Sequence, residues 1–180
     1  IAGTCKTAEE VLDEVEKDMP FYKNSGGGMT CSGGEPMLQT EFLRELLMKA
    51  KDRGISTAVD TSGNVPFANF LEVLPYTDLF LYDLKSMDDS VHREATGVGN
   101  ERINENIRKL SEAGARIWVR IPVIPGVNAE AGNMEATAEL LKPLNPELVE
   151  LLTFHKLGGG KYESVGRVYV NFPCPWPKKR

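Results

Sequence analysis

Residues 55–85 read ISTAVDTSGNVPFANFLEVLPYTDLFLYDLK. Ile55 to Val59 is a short run rich in β-branched and apolar residues and reads as a strand. Pro66 to Leu74 reads as a helix, and Asp78 to Tyr82 as a second strand. A strand, a helix and a strand within so few residues imply two parallel strands joined by a right-handed crossover.

Working outward, the unit repeats. Downstream, Ile103, Ile107 and Leu110 mark a helix that ends at Gly114, and Arg116 to Ile121 is a strand. Met134, Ala138 and Leu141 mark a helix stopped by Pro143, and Leu148 to Thr153 is a last strand. Upstream, Phe42, Leu43, Leu46, Leu47 and Ala50 recur at helical spacing, with Gly54 as the stop. Before them comes the Gly-rich segment Gly26 to Gly28, which runs into a β-compatible Met29-Thr30-Cys31-Ser32. The capping box Thr7-Ala8-Glu9-Glu10 opens a first helix on Ala8, Val11, Leu12 and Val15, expected to stop before Pro20. A polar helix surrounds His92. The fold class is therefore α/β, one domain over residues 1–180 with about five parallel strands. Five are too few for a closed eight-stranded barrel, which leaves a partial open (β/α) barrel or an open doubly wound sheet.

The 180 residues carry 21 Lys plus Arg against 26 Asp plus Glu, a net charge of -5, which provides no electrostatic footprint for nucleic acid or an anionic membrane. At 41% hydrophobic and 26% charged residues the chain is of ordinary globular composition, which excludes disordered and disulfide-scaffold classes. No apolar run reaches the roughly 18 residues of a membrane span, and the opening lacks a signal pattern, so a cytoplasmic protein is expected. Cys5, Cys31 and Cys174 are too widely spaced for a metal knuckle or a redox pair. The chain opens on Ile1 and enters a helix almost at once, so an upstream segment is expected.

The unusual residues fall just past the strand ends: Gly33-Gly34-Glu35, Asp60-Thr61-Ser62-Gly63, Asp83-Leu84-Lys85, Arg120 with Pro122 and Pro125-Gly126, and His155. In parallel α/β folds that rim binds ligands, because strand ends, helix N-termini and loops converge there. Each residue also has a plainer reading. Gly26 to Gly28 can be a simple turn, Asp60 and Asp83 can be caps, and Lys85 and Arg120 can be solvated charges. A structural or surface role is the commoner one for His92 and for a lone His155.

Taken in order, Ser32-Gly33-Gly34-Glu35-Pro36, Asp60-Thr61-Ser62-Gly63, Tyr82-Asp83-Leu84-Lys85, Arg120-Ile121-Pro122-Val123-Ile124-Pro125-Gly126 and Phe154-His155-Lys156-Leu157-Gly158 resemble the radical S-adenosylmethionine enzymes that activate glycyl radical enzymes. The resemblance runs from about Thr7 to Gly166. It implies a partial (β/α) barrel, open along one side. It implies reductive cleavage of S-adenosylmethionine to methionine and a 5'-deoxyadenosyl radical, which removes a hydrogen atom from a glycine of a partner enzyme. Pyruvate formate-lyase, engaged through its glycine loop, is the partner it first suggests, with flavodoxin as electron donor. The cofactor carries the hard chemistry and the protein positions it.

By the same resemblance, Gly33, Gly34 and Glu35 would hold the amino group of the methionine moiety, since glycines let backbone carbonyls approach and a carboxylate pairs with an ammonium. Asp83, Lys85 and His155 would complete the S-adenosylmethionine site, with Lys85 and His155 meeting the carboxylate and ribose. Asp60, Thr61 and Asp83 resemble a monovalent-cation site, for which oxygen ligands are suited. Arg120 would face the substrate peptide.

The family binds a 4Fe-4S cluster through Cys-x3-Cys-x2-Cys, and no such triplet occurs in the sequence. Without three thiolates there is no cluster iron to chelate S-adenosylmethionine, so this chain is expected to be inactive alone and to contain no catalytic residue of its own. The cluster-bearing part and a final helix are expected to lie outside it. If so, the strand at Met29 to Cys31 would be a bare edge with uncovered apolar side chains and a tendency to self-associate. Two other readings stand beside this one. A cluster-less homologue would bind only S-adenosylmethionine or a peptide, and an aldolase-like barrel would use Lys85 as a Schiff-base amine, which neighbouring Asp83 disfavours by holding it protonated.

Overall fold

The computed structural model describes residues 4–153. Five strands form one sheet in the order β1-β2-β3-β4-β5, every neighbouring pair parallel. They are β1 (Gly28–Cys31), β2 (Ser56–Thr61), β3 (Leu79–Asp83), β4 (Ile117–Val123) and β5 (Leu148–Thr153). Strand order follows chain order without reversal, so right-handed crossovers lay their helices on the same face. A doubly wound sheet needs a reversal to place helices on both faces, and this sheet has none. Among the described residues β1 and β5 pair on one side only, so the sheet is an open (β/α) arc.

The helices are α1 (Ala8–Val15), α2 (Met19–Ser25), α3 (Thr40–Asp52), α4 (Phe67–Val73), α5 (Asp89–Thr96), α6 (Glu101–Glu112) and α7 (Ala131–Leu141). The capping box at Thr7 forms, with the Glu10 carboxylate accepting from the Thr7 N–H at 2.8 Å. α1 ends at Val15, before Pro20, as the sequence suggests, but a second helix that the sequence reading did not include begins around that proline. A 3-10 turn at Glu16–Asp18 follows α1, and Pro20 then sits in the first turn of α2, where its missing N–H has no helical partner to lose. Gly26, with φ 68°, closes α2 by donating to the Tyr22 carbonyl at 2.9 Å. Arg53 just beyond α3 pairs with Glu9, Asp13 and Glu16, tying the first helical region to the third helix.

Along each central strand, burial alternates with period two. Thr57, Val59, Phe80, Tyr82, Ile117, Val119 and Ile121 are buried toward the helices. Phe70 of α4 meets Phe80 and Tyr82, with ring centroids 5.8 and 6.3 Å apart. Met29 and Cys31 of β1 belong to the same core as Leu43 and Leu46 of α3, so the edge strand does not leave its apolar side chains uncovered. His92 is also buried, and its Nδ1 lies 2.7 Å from the Val98 carbonyl. Its role is local architecture, the structural one of its two readings. The other sheet face carries Asp60, Leu81, Asp83, Trp118 and Arg120, which are only partly buried.

Asp78 anchors the strand ends opposite the candidate site. Its carboxylate accepts from the Thr57 N–H at 2.9 Å and pairs with Lys51. Burial works against its charge, but the Lys51 ammonium and the Thr57 donors outweigh burial and hold the carboxyl below its ordinary value. The stabilisation is therefore complete above pH 3.8 and fades as the pH falls through the lowered folded-state value. Asp78→Asn is expected to cost about 1 kcal/mol at neutral pH after allowance for solvent screening. Urea titrations across pH should show the gap to the native chain closing in acid. A gap that widens in acid would contradict this assignment.

Candidate functional site

The rim at the C-terminal ends of β1 to β4 collects five charged side chains. β2 ends on Asp60 and Thr61, which alternate across the sheet. The Asp60 carboxylate stays on the partly buried face, where it accepts from Ser32 Oγ at 2.8 Å just beyond β1. β3 ends on Asp83, directly opposite Arg120 of β4 in the strand register. Arg120 donates to Asp83 Oδ1 from Nε at 3.1 Å and from a terminal nitrogen at 2.8 Å, and the same terminal nitrogen also binds Asp60. Lys85 Nζ lies 3.4 Å from Asp83 Oδ2. The result is a chain of contacts from Ser32 through Asp60, Arg120 and Asp83 to Lys85. Burial of the Arg120 guanidinium opposes its charge, and the Asp83 and Asp60 carboxylates more than compensate, so it is held protonated more firmly than an ordinary arginine.

Glu35 sits apart from that chain and is held by neutral donors. Its carboxylate accepts from Thr61 Oγ1 at 3.0 Å, from the Ser62 N–H at 2.9 Å and from Ser62 Oγ at 2.7 Å. No Lys or Arg among the described residues is within ion-pair distance of it. Next to it, Gly33 adopts φ 133°, a conformation for glycine, and a Cβ at Gly33 or Gly34 would meet nothing within 4 Å. Open space therefore lies against the backbone of this turn.

The structure brings Glu35, Asp60, Asp83, Lys85 and Arg120 to one rim. Thr61 does not join Asp60 and Asp83, because its hydroxyl faces the other side of the sheet and serves Glu35 and the Gly63 N–H. Arg120 lies between Asp60 and Asp83, at the place where the sequence resemblance implies a monovalent cation, rather than standing free toward a peptide. His155 lies outside the described residues. Three polar residues escaped the sequence reading: Ser32, Ser62 and Asn128. The two serines sat inside the quoted motifs, and only the strand register shows which carboxylate each one reaches.

Residues 3–141 match the Radical SAM superfamily. The chain belongs to that superfamily. Within it, the relatives most similar in sequence include activating enzymes of glycyl radical enzymes. The (2S)-3-sulfopropanediol dehydratase activating enzyme of Klebsiella oxytoca is 42% identical over 170 residues, 93% of this chain and 54% of that protein. The pyruvate formate-lyase-activating enzyme of Clostridium pasteurianum is 38% identical over 164 residues, 91% of this chain and 68% of that protein. A solved domain of pyruvate-formate lyase-activating enzyme from Bacteroides vulgatus superposes with a TM-score of 0.69 at 43% identity, covering 72% of this chain and 82% of that one. The chain spans about half the length of the first relatives it matches. No described helix is long and apolar enough to cross a membrane.

A radical SAM protein calls for S-adenosylmethionine and a 4Fe-4S cluster, and the described residues fit the two differently. The five rim side chains hold three carboxylates against two cations, one net negative charge. S-adenosylmethionine carries a sulfonium, an ammonium and a carboxylate, one net positive charge, so the charges are complementary. Glu35 without a cation suits the ammonium, and the open glycine turn suits close approach of a ligand. The cluster does not fit. No three His, Cys, Asp or Glu among the described residues are grouped to hold a metal. Cys5 is exposed, and burial pushes the Cys31 thiol up to about 11, which disfavours the thiolate that iron needs.

Proposed function

We propose that this chain is the S-adenosylmethionine-binding core of an activase for a glycyl radical enzyme. The observation that carries the reading is Glu35 held by neutral donors beside an open glycine turn, on the same rim as Asp83 and Lys85. In this reading Gly33, Gly34 and Glu35 take the ammonium, and Lys85, oriented by Asp83, takes the carboxylate, with His155 completing the site. Asp60 and Asp83 form the monovalent-cation site once Arg120 leaves the two carboxylates to face the substrate peptide, while Thr61 serves Glu35 instead. S-adenosylmethionine supplies the radical that removes a hydrogen atom from the partner's glycine. The partner is a glycyl radical enzyme, pyruvate formate-lyase being one choice among the partners that the relatives' names span, and flavodoxin fits as the electron donor. The protein acts in the cytoplasm.

The electron needs the cluster, for which this chain offers no triplet of thiolates, so the isolated 180 residues are expected to be inactive. Anaerobic reconstitution should leave the chain without cluster absorbance, whereas a form bearing a Cys-x3-Cys-x2-Cys segment should gain the cluster and release 5'-deoxyadenosine. Calorimetry should show the isolated chain binding S-adenosylmethionine, with Glu35→Gln weakening it about tenfold, the scale of one charge-assisted contact. Near one cluster per isolated chain would overturn the first expectation. Unchanged affinity in Glu35→Gln would overturn the second.

A further inference from the structure

The ladder between β3 and β4 stops at Pro122. The N–H of Leu84 donates to the Arg120 carbonyl at 2.9 Å, and the next bond of a parallel ladder would come from the N–H of residue 122. Proline has none. Beyond this point the backbone carrying Lys85 has no strand partner of the usual kind.

Asn128 takes over. Its side chain is buried at 2% exposure, and its Nδ2 donates both to the Lys85 carbonyl and to the Pro122 carbonyl, the latter at 2.7 Å. Its Oδ1 accepts from the Ile124 N–H at 2.7 Å, so one amide holds both loops and closes its own turn. Asn133 extends the clasp. It donates to the Asn128 carbonyl at 2.8 Å and accepts from the Met87 N–H at 2.8 Å. Both donors and the acceptor of the Asn128 amide are engaged, which fixes its orientation. Asn100 holds the next carbonyls of the same loop, those of Ser86 and Met87, at 2.9 and 2.8 Å, but does not reach Lys85.

We propose that Asn128 is a positioning residue for the ligand site, holding the Lys85 backbone so that its ammonium stays beside Asp83 and in reach of a bound carboxylate. Asn128 touches no ligand and acts through Lys85. The inference rests on the reading of the rim as an S-adenosylmethionine site, and it adds a residue that the five strand-end motifs do not include.

A mutant cycle tests it, with S-adenosylmethionine affinity measured by calorimetry on the 180-residue chain. Asn128→Ala should weaken binding about tenfold in the native background but less than about twofold once Lys85→Ala has removed the side chain it positions. A merely structural role would weaken binding equally in both backgrounds, and that result, or no loss in the native background, overturns the proposal. Amide hydrogen exchange over residues 84–88 is the second readout. It should speed up in Asn128→Ala, and unchanged exchange overturns the clasp. If the native chain binds no S-adenosylmethionine, the functional reading falls, while the exchange still decides the clasp. If Asn128→Ala does not fold, Asn133→Ala takes its place in the same cycle, since it removes the bond to Met87.

Discussion

Gly63→Ala is expected to lower the unfolding free energy by about 4 kcal/mol, and Gly126→Ala by only about 1 kcal/mol, in parallel denaturant titrations. Both glycines have φ 77°, so the backbone term is shared. Their surroundings differ. A Cβ at Gly63 would stand 2.0 Å from the hydroxyl oxygen and 2.3 Å from Cζ of Tyr82, whereas one at Gly126 would meet nothing within 4 Å. Tyr82 cannot yield cheaply, because it is fully buried and its hydroxyl donates to the Ile103 carbonyl at 2.7 Å. The Gly63 carbonyl is also fixed, accepting from Asn106 Nδ2 at 2.8 Å. Adding Tyr82→Phe should recover little, since Cζ remains in the way. The loop is the one whose Thr61 and Ser62 hold Glu35, so any folded Gly63→Ala should also bind S-adenosylmethionine poorly. Equal costs for the two substitutions would show that the Tyr82 contact is not what demands glycine.

The alternation of strands and helices was legible because burial imposes period two on strands and 3.6 on helices, and both periods survive in Ser56–Thr61, Leu79–Asp83 and α6. The choice between a barrel arc and a doubly wound sheet depends on strand order, to which local periodicity is blind, so the arc was legible only through the family resemblance of the strand-end motifs. The stop of α1 before Pro20 was legible, but α2 was not: a proline that breaks a helix interior is welcome in a first turn, and only the 3-10 turn before it shows which case applies. The rim residues were legible as a set because chemistry-bearing side chains cluster at strand ends. Their partners were not. Arg120 meets Asp60 across 60 positions of sequence and Asp83 across 37, a match fixed by the register of β2, β3 and β4. The same register sends Thr61 to the helix face and away from Asp60. Asn128 went unread because an asparagine after Pro125-Gly126 reads as a turn residue, and the missing N–H of Pro122 becomes a demand only once β3 is alongside.

Arg120→Ala should be the most damaging single change within the charge chain, because it leaves two carboxylates facing one another with Lys85 as the remaining nearby cation. Asp60, Asp83 and Arg120 side chains are 22–26% exposed, so screening is partial and the expected cost is about 2 kcal/mol, below that of a fully buried pair. The loss should be coupled. Asp60→Asn and Asp83→Asn introduced together with Arg120→Ala remove the repulsion, and the triple variant should be more stable than Arg120→Ala alone. Salt identity provides the sharper test. With the guanidinium gone, the two carboxylates are free to bind a small cation, so the melting temperature of Arg120→Ala should rise with potassium or sodium chloride beyond its rise with tetramethylammonium chloride at equal ionic strength. The native chain, whose carboxylates already share Arg120, should distinguish these salts far less until S-adenosylmethionine is added. An Arg120→Ala variant as stable as the native chain would mean that Arg120 contributes nothing at this site and that solvent alone keeps the two carboxylates apart.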